Sequence, residues 1–138
     1  MSNITFEKIL KRTVKNYQGK YSETILLCPE IYSLVSDLLF DRNISQKHRS
    51  MLLISVGYFM LPQDLYPEDT LGPIGFIDDL MIMIFVLREI KDEYGFEEIL
   101  MYWRSEKCTL EKLLTENFDE LLKDNMPLYN EVIQFVGF

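Results

Sequence analysis

The chain predicts an all-α fold: a compact single-domain bundle of about six or seven helices around a central Pro- and Asp-rich helix–loop–helix hairpin. Three observations carry that prediction. Apolar residues recur at helical spacing along nearly every segment. Residues that start and stop helices punctuate them. No stretch sustains the strict alternation of a half-buried strand, and no repeat or low-complexity linker appears. With 138 residues, 48% hydrophobic and 26% charged, the chain is long enough to bury a core as one domain, residues 1–138.

Each element follows from local residues. Phe6, Ile9, Leu10, Val14 and Tyr17 recur at helical spacing, and Gly19 is placed to end that helix. Pro29 suits a first helical position, ahead of a stripe of Ile31, Leu34, Val35, Leu38 and Leu39. Asp41-Arg42-Asn43 reads as a break. Ser45 can cap a helix running from about Gln46 to Leu61, where Pro62 stops it. A further helix is expected from near Phe76 to Tyr94, ended by Gly95. Glu97 to Arg104 reads as helical. Thr109 is the expected cap of a helix carrying Leu110, Leu113, Leu114, Phe118, Leu121 and Leu122. Asn125 with Pro127 then opens a last short helix that ends at Gly137.

Between the two most apolar runs, 51–61 and 80–87, lies an unusual connector. It holds Pro62, Pro67 and Pro73, Gly72 and Gly75, and the acids Asp64, Glu68, Asp69, Asp78 and Asp79. Prolines fix backbone angles, and Asp64 is spaced to bond local amides. Asp78 and Asp79 stand where a helix begins, so their carboxylates can accept orphan amides at the positive end of its dipole. Stiffening and capping account for most of the connector without a ligand. The apolar runs are shorter than the roughly 20 residues a bilayer crossing needs, so buried core helices are expected.

The pattern Tyr58-x3-Pro62-x-Asp64-x2-Pro67, followed by Gly75 and by Asp78-Asp79, resembles the signature of the YkvA-like family (domain of unknown function 1232). Leu39-Phe40-Asp41 and Lys47 extend the resemblance upstream, so that it covers about residues 36–90, with acidic helices following over about 96–138. The sequence departs from the family where Pro67 is followed by Glu68-Asp69, and either could take the family acid's place. The resemblance implies a compact helical hairpin and no defined chemistry.

Charge is unevenly placed. The formal net charge is -8; residues 1–50 carry eight Lys/Arg against five Asp/Glu, and residues 51–138 carry six against seventeen. Such a surface repels nucleic-acid phosphates and favours basic protein partners. Lys8, Lys11, Arg12 and Lys15 lie opposite the apolar stripe of the first helix. That is the pattern of a solvated helix face, and also of an interfacial helix.

Chemistry-bearing motifs are sparse. There is no nucleophile elbow, phosphate loop or dinucleotide fingerprint. His48, the single histidine, stands between Lys47 and Arg49 and is expected on the surface. One histidine cannot build the usual zinc site. Cys28 and Cys108 are expected as reduced, buried thiols. The opening MSNITFEKILKR lacks the apolar core of a secretory signal, so a cytoplasmic chain is expected. The methionines Met51, Met60, Met81 and Met83 read as core filler, and Trp103 as buried.

The expected function is a non-enzymatic, cofactor-free inhibitor: an immunity protein that neutralises a basic toxin such as a nuclease. Its expected partner-binding acids are Asp64, Glu68 and Asp69 in the connector, and Glu97, Glu98, Glu116, Asp119 and Glu120 in the later helices. Two alternatives stand beside it. One is a peripheral membrane-associated scaffold protein built on the cationic first helix. The other is a metal-dependent enzyme using Asp64, Glu68, Asp69, Asp78 and Asp79 as oxygen ligands.

Overall fold

The computed structural model describes residues 6–59 and 76–138. Among them the chain is all-α, and no strand occurs. In chain order the helices are α1 (Phe6–Val14), α2 (Ser22–Leu26), α3 (Cys28–Leu38), α4 (Gln46–Phe59), α5 (Ile77–Tyr94), α6 (Phe96–Leu100) and α7 (Lys107–Lys112). A single π-helical turn, Leu113–Asn117, then runs directly into α8 (Phe118–Val136). Of the connector, Pro62, Asp64, Pro67, Glu68, Asp69, Gly72, Pro73 and Gly75 lie outside the described residues, as does Met60.

Helix α5 is the centre of the fold. Its Ile77, Leu80, Met81, Ile82, Met83, Ile84, Val86, Leu87 and Ile90 are all buried. A helix apolar all round must be enclosed by other helices, and α5 packs against α3, α4, α6, the π turn and α8. Each such side chain contributes about 1.5–3 kcal/mol when withdrawn from water, which makes α5 the main hydrophobic reservoir. Met81 and Met83 are core filler as expected.

The first three helices cover one side of that centre. Leu10 and Val14 are buried where α1 lies on α3. Phe6 reaches further, edge-on to Tyr32 and to Phe59 at ring distances of 5.0 and 5.5 Å. Pro29 occupies the first turn of α3, where its missing amide costs nothing. Helix α1 ends at Val14, earlier than Gly19. Tyr17 is then held by a local bond, its hydroxyl donating to the Lys20 carbonyl at 2.8 Å.

Later boundaries differ from expectation in three places. Helix α6 ends at Leu100 rather than Arg104, because Trp103 turns inward and its Nε1 donates to the Glu106 carbonyl at 2.9 Å. Helix α7 begins at Lys107, so Thr109 is not a cap but a first-turn residue; its amide donates to the Glu106 carbonyl. The last helix does not start afresh at Asn125. Helix α8 runs through it with a kink, Asn125 alone taking φ -131° and ψ 30°. Pro127 supplies no amide to the preceding turn, and Asn125 Nδ2 donates to the Leu121 carbonyl at 2.9 Å. Gly137, at φ 83°, closes the helix in the left-handed conformation.

A long-range polar link fastens this kink to the start of the chain. Tyr21, itself left-handed at φ 61°, donates its hydroxyl to Asp124 Oδ2 at 2.8 Å and accepts from Asn125 Nδ2 at 3.1 Å. Burial and the Asp124 carboxylate push the Tyr21 hydroxyl above its ordinary pKa. Both cysteines are free. Cys28 is buried as expected; Cys108 is exposed, contrary to expectation, because the first turn of α7 points it outward.

Candidate functional site

Helices α4 and α5 pack against each other along much of their length. The buried side of α4 is His48, Leu52, Ser55, Tyr58 and Phe59, spaced as one helical stripe. Near its end Tyr58, almost fully buried, donates its hydroxyl to Asp78 Oδ2 on α5 at 2.8 Å. Asp78 Oδ1 accepts the Asp79 amide at 3.0 Å. Both carboxylates are fully buried in the first turn of α5. Asp78 thus does what its position predicts, holding a first-turn amide where the dipole favours negative charge. It also takes a cross-helix bond that no local pattern announces.

A second polar cluster lies at the other end of α4, around the break after α3. Ser45 caps α4 as expected, with Oγ 3.4 Å from the His48 amide. The same Oγ lies 3.0 Å from His48 Nδ1, and Tyr94 Oη lies 3.1 Å from that nitrogen. Tyr94 Oη also accepts the Ser45 amide at 2.8 Å. His48 is therefore not a surface residue but 8% exposed, its ring edge-on to Tyr94 at 5.3 Å. Position 48 shares a face with Leu52, Ser55 and Phe59, so the helix turns it inward although both sequence neighbours are cationic.

Arg49 stitches the same corner, donating to the carbonyls of Leu39, Asp41 and Ile44. These groups have lost the helical ladder at the end of α3, and a guanidinium fork can serve several at once. Asp41, 5% exposed, folds back so that Oδ1 accepts the Asn43 amide at 2.8 Å. Asn43 Nδ2 in turn donates to Glu98 Oε1 on α6 at 3.2 Å. Burial pushes the Asp41 carboxyl up; Glu98, the Asn43 amide, Tyr102 and Arg49 more than offset that, leaving it below the ordinary carboxylate value. Hydrogen bonding to Asp41 pushes Glu98 the other way, above its ordinary value. Asp41 thus gives up its proton more readily than Glu98 does.

Residues 48–85 match the model of a family described as a protein of unknown function (DUF1232). Over those residues the hairpin is similar to DUF1232. Its resemblance, read from Tyr58 and the Asp78-Asp79 pair, is borne out by that match. The chain is also 28% identical over 117 residues to "Uncharacterized protein ORF9" of Methanothermobacter thermautotrophicus, covering 85% of this chain and 80% of that protein. No solved structure matches the chain.

The segment similar to DUF1232 pairs two central helices through Tyr58 and Asp78, and the remaining helices enclose it. Among the described residues, no three His, Cys, Asp or Glu side chains stand close enough together to hold a metal ion. Asp78 and Asp79 are the two acids of the expected oxygen-ligand set that are described. Both face the interior.

The remaining expected contact residues are dispersed. Glu97, Glu116, Asp119 and Glu120 are exposed. Glu98 is half-buried and engaged with Asn43 and Asp41, so it belongs to the corner rather than to a free acidic face. Glu116, Asp119 and Glu120 fall three and four residues apart on the π turn and the first turn of α8, and so lie on one face. Arg88 approaches Asp119 only at 3.9 Å, its guanidinium lying over the Phe118 ring. Lys112 pairs with Glu23 at 2.7 Å and also feels the charges of Glu116 and Glu120. Arg49, Asn43 and Tyr94 were not anticipated as polar organisers; their partners lie on other elements, and for Asn43 and Tyr94 those elements are far along the chain.

Proposed function

We propose that the chain is a non-enzymatic protein-binding inhibitor, an immunity-type protein that neutralises a basic toxin domain such as a nuclease. The observation that carries this reading is the ridge of Glu116, Asp119 and Glu120. Three carboxylates stand exposed on one rigid helical face, with Glu97 exposed elsewhere on the same acidic half of the chain. Such a face steers association with a cationic cleft and stands in for the phosphates the cleft was built to hold. Rigidity matters as much as charge, because a preformed face gives up little conformational entropy on binding. The packed α5 core holds that face in place.

The test is co-expression with the product of the adjacent gene, followed by purification at low salt. A retained basic partner, and inhibition of its activity, are expected. Combined Glu116→Lys, Asp119→Lys and Glu120→Lys should leave the helical fold intact and slow association by roughly tenfold or more. Failure to retain any partner at low salt would sink the proposal.

A further inference from the structure

The α1 face raises a separate question, independent of the inhibitor reading, which rests on the α8 ridge. Lys8, Lys11, Arg12 and Lys15 are all exposed and recur at one helical spacing. Lys11, Arg12 and Lys15 line a surface groove of about 270 Å³ against Val14, Leu26, Pro29 and Glu30. Three cations share that groove with one carboxylate. Glu7 takes up Lys11 only at 4.0 Å and sits closer to Arg104, at 3.4 Å. Beside the cations two aliphatic side chains stay in solvent: Ile9 is 45% exposed and Leu26 41%.

We propose that this face is a docking site for an anionic lipid bilayer. Charge complementarity supplies the attraction, since headgroup phosphates at the membrane surface match a stripe of Lys and Arg. Ile9 and Leu26 add what a lipid surface alone rewards, aliphatic groups that can enter the headgroup boundary. Among the described residues, the groove walls carry no aromatic ring on which an unpaired base would stack, which disfavours single-stranded nucleic acid as the occupant. The uneven charge of the chain adds orientation: residues 51–138 carry the acidic surplus and are repelled, so the α1 face is the one presented.

The structure also fixes the mode of contact. Leu10 and Val14 are committed to the core, and Phe6 packs on Tyr32 and Phe59. Helix α1 therefore cannot roll its apolar stripe into lipid as a free amphipathic helix does. No described helix is long and apolar enough to cross a membrane. The docking is peripheral, electrostatic and reversible by salt.

Flotation of the full chain with vesicles tests this. Vesicles of phosphatidylcholine with roughly a third phosphatidylglycerol are compared with pure phosphatidylcholine at low and high salt. The chain should float with the anionic vesicles at low salt and be released by high salt. Combined Lys11→Gln, Arg12→Gln and Lys15→Gln should weaken partitioning on the order of a hundredfold, at about fivefold per cation. Leu26→Ala should weaken it several-fold, and Lys11→Arg with Lys15→Arg should preserve it. Circular dichroism confirms that each variant is folded. The proposal is overturned if the chain stays in the soluble fraction with anionic vesicles at low salt, or if the triple Gln variant partitions as the parent does. It is equally overturned if a DNA oligonucleotide or polyglutamate binds this face and releases the chain from vesicles, which would reassign the face to a soluble polyanion.

Discussion

Tyr58 on α4 donates its hydroxyl to Asp78 on α5 across 2.8 Å, inside a core where both residues are almost fully enclosed. The bond spans the two ends of the connector and ties the close of one central helix to the opening of the next. A bond made away from water is electrostatically stronger than the same bond in solvent.

Tyr58→Phe removes that donor while keeping the ring, which packs edge-on to Phe135 at 5.8 Å. The expected loss is about 1–3 kcal/mol of folding stability, the range for taking a donor from a buried acceptor. Urea denaturation of the two proteins measures it directly. A variant as stable as the parent would show that the bond contributes nothing net.

Gly95 joins α5 to α6 at φ 95° and ψ 158°. A side chain rarely adopts that backbone conformation, although a Cβ there would meet no atom within 4 Å. The cost of Gly95→Ala is therefore backbone strain alone, about 1–3 kcal/mol. Thermal unfolding should show a lowered midpoint with the helical content unchanged. An unaltered midpoint would mean that the junction relaxes freely.

The Asp41–Glu98 pair predicts a pH dependence. Glu98, held above its ordinary value by Asp41, contributes stability that is present below its unfolded pKa and lost as pH rises through its folded one. Asp41, held below its ordinary value, contributes stability that is present above its unfolded pKa and lost as pH falls through its folded one. The Glu98 contribution therefore fades toward neutral pH and the Asp41 contribution fades in stronger acid. Glu98→Gln fixes the protonated form, so it should flatten the decline in stability between mildly acidic and neutral pH. Denaturant midpoints across that range check it; a decline as steep in the variant as in the parent would count against the coupling of Glu98 to Asp41.

Much of the fold is legible where a single residue type has one local job. Pro29, Ser45, Gly95 and Gly137 mark helix ends because ring closure, a short hydroxyl or a missing Cβ acts within one turn. His48 has cationic neighbours that point to the surface, whereas the helical period places it with Leu52 and Phe59 in the interior. Thr109 lost the cap because the Glu106 carbonyl already serves the amides of Thr109 and Leu110. The polar corner was illegible for another reason. Asn43 meets Glu98 at a separation of 55 positions, and Ser45 meets Tyr94 at 49. Local patterns cannot report such pairings; only tertiary packing brings the groups together.

The Tyr21–Asp124 bond joins residues 103 positions apart. Protein synthesis runs from the N-terminus, so α1 and α3 can meet while the chain is still being made. Tyr21, by contrast, waits for more than a hundred further residues before Asp124 and Asn125 reach it. A nascent chain in which α8 has not yet been made can form its first helices but leaves that hydroxyl without these two partners. The latch thus closes only after α8 has been made, later than the packing of α1 on α3.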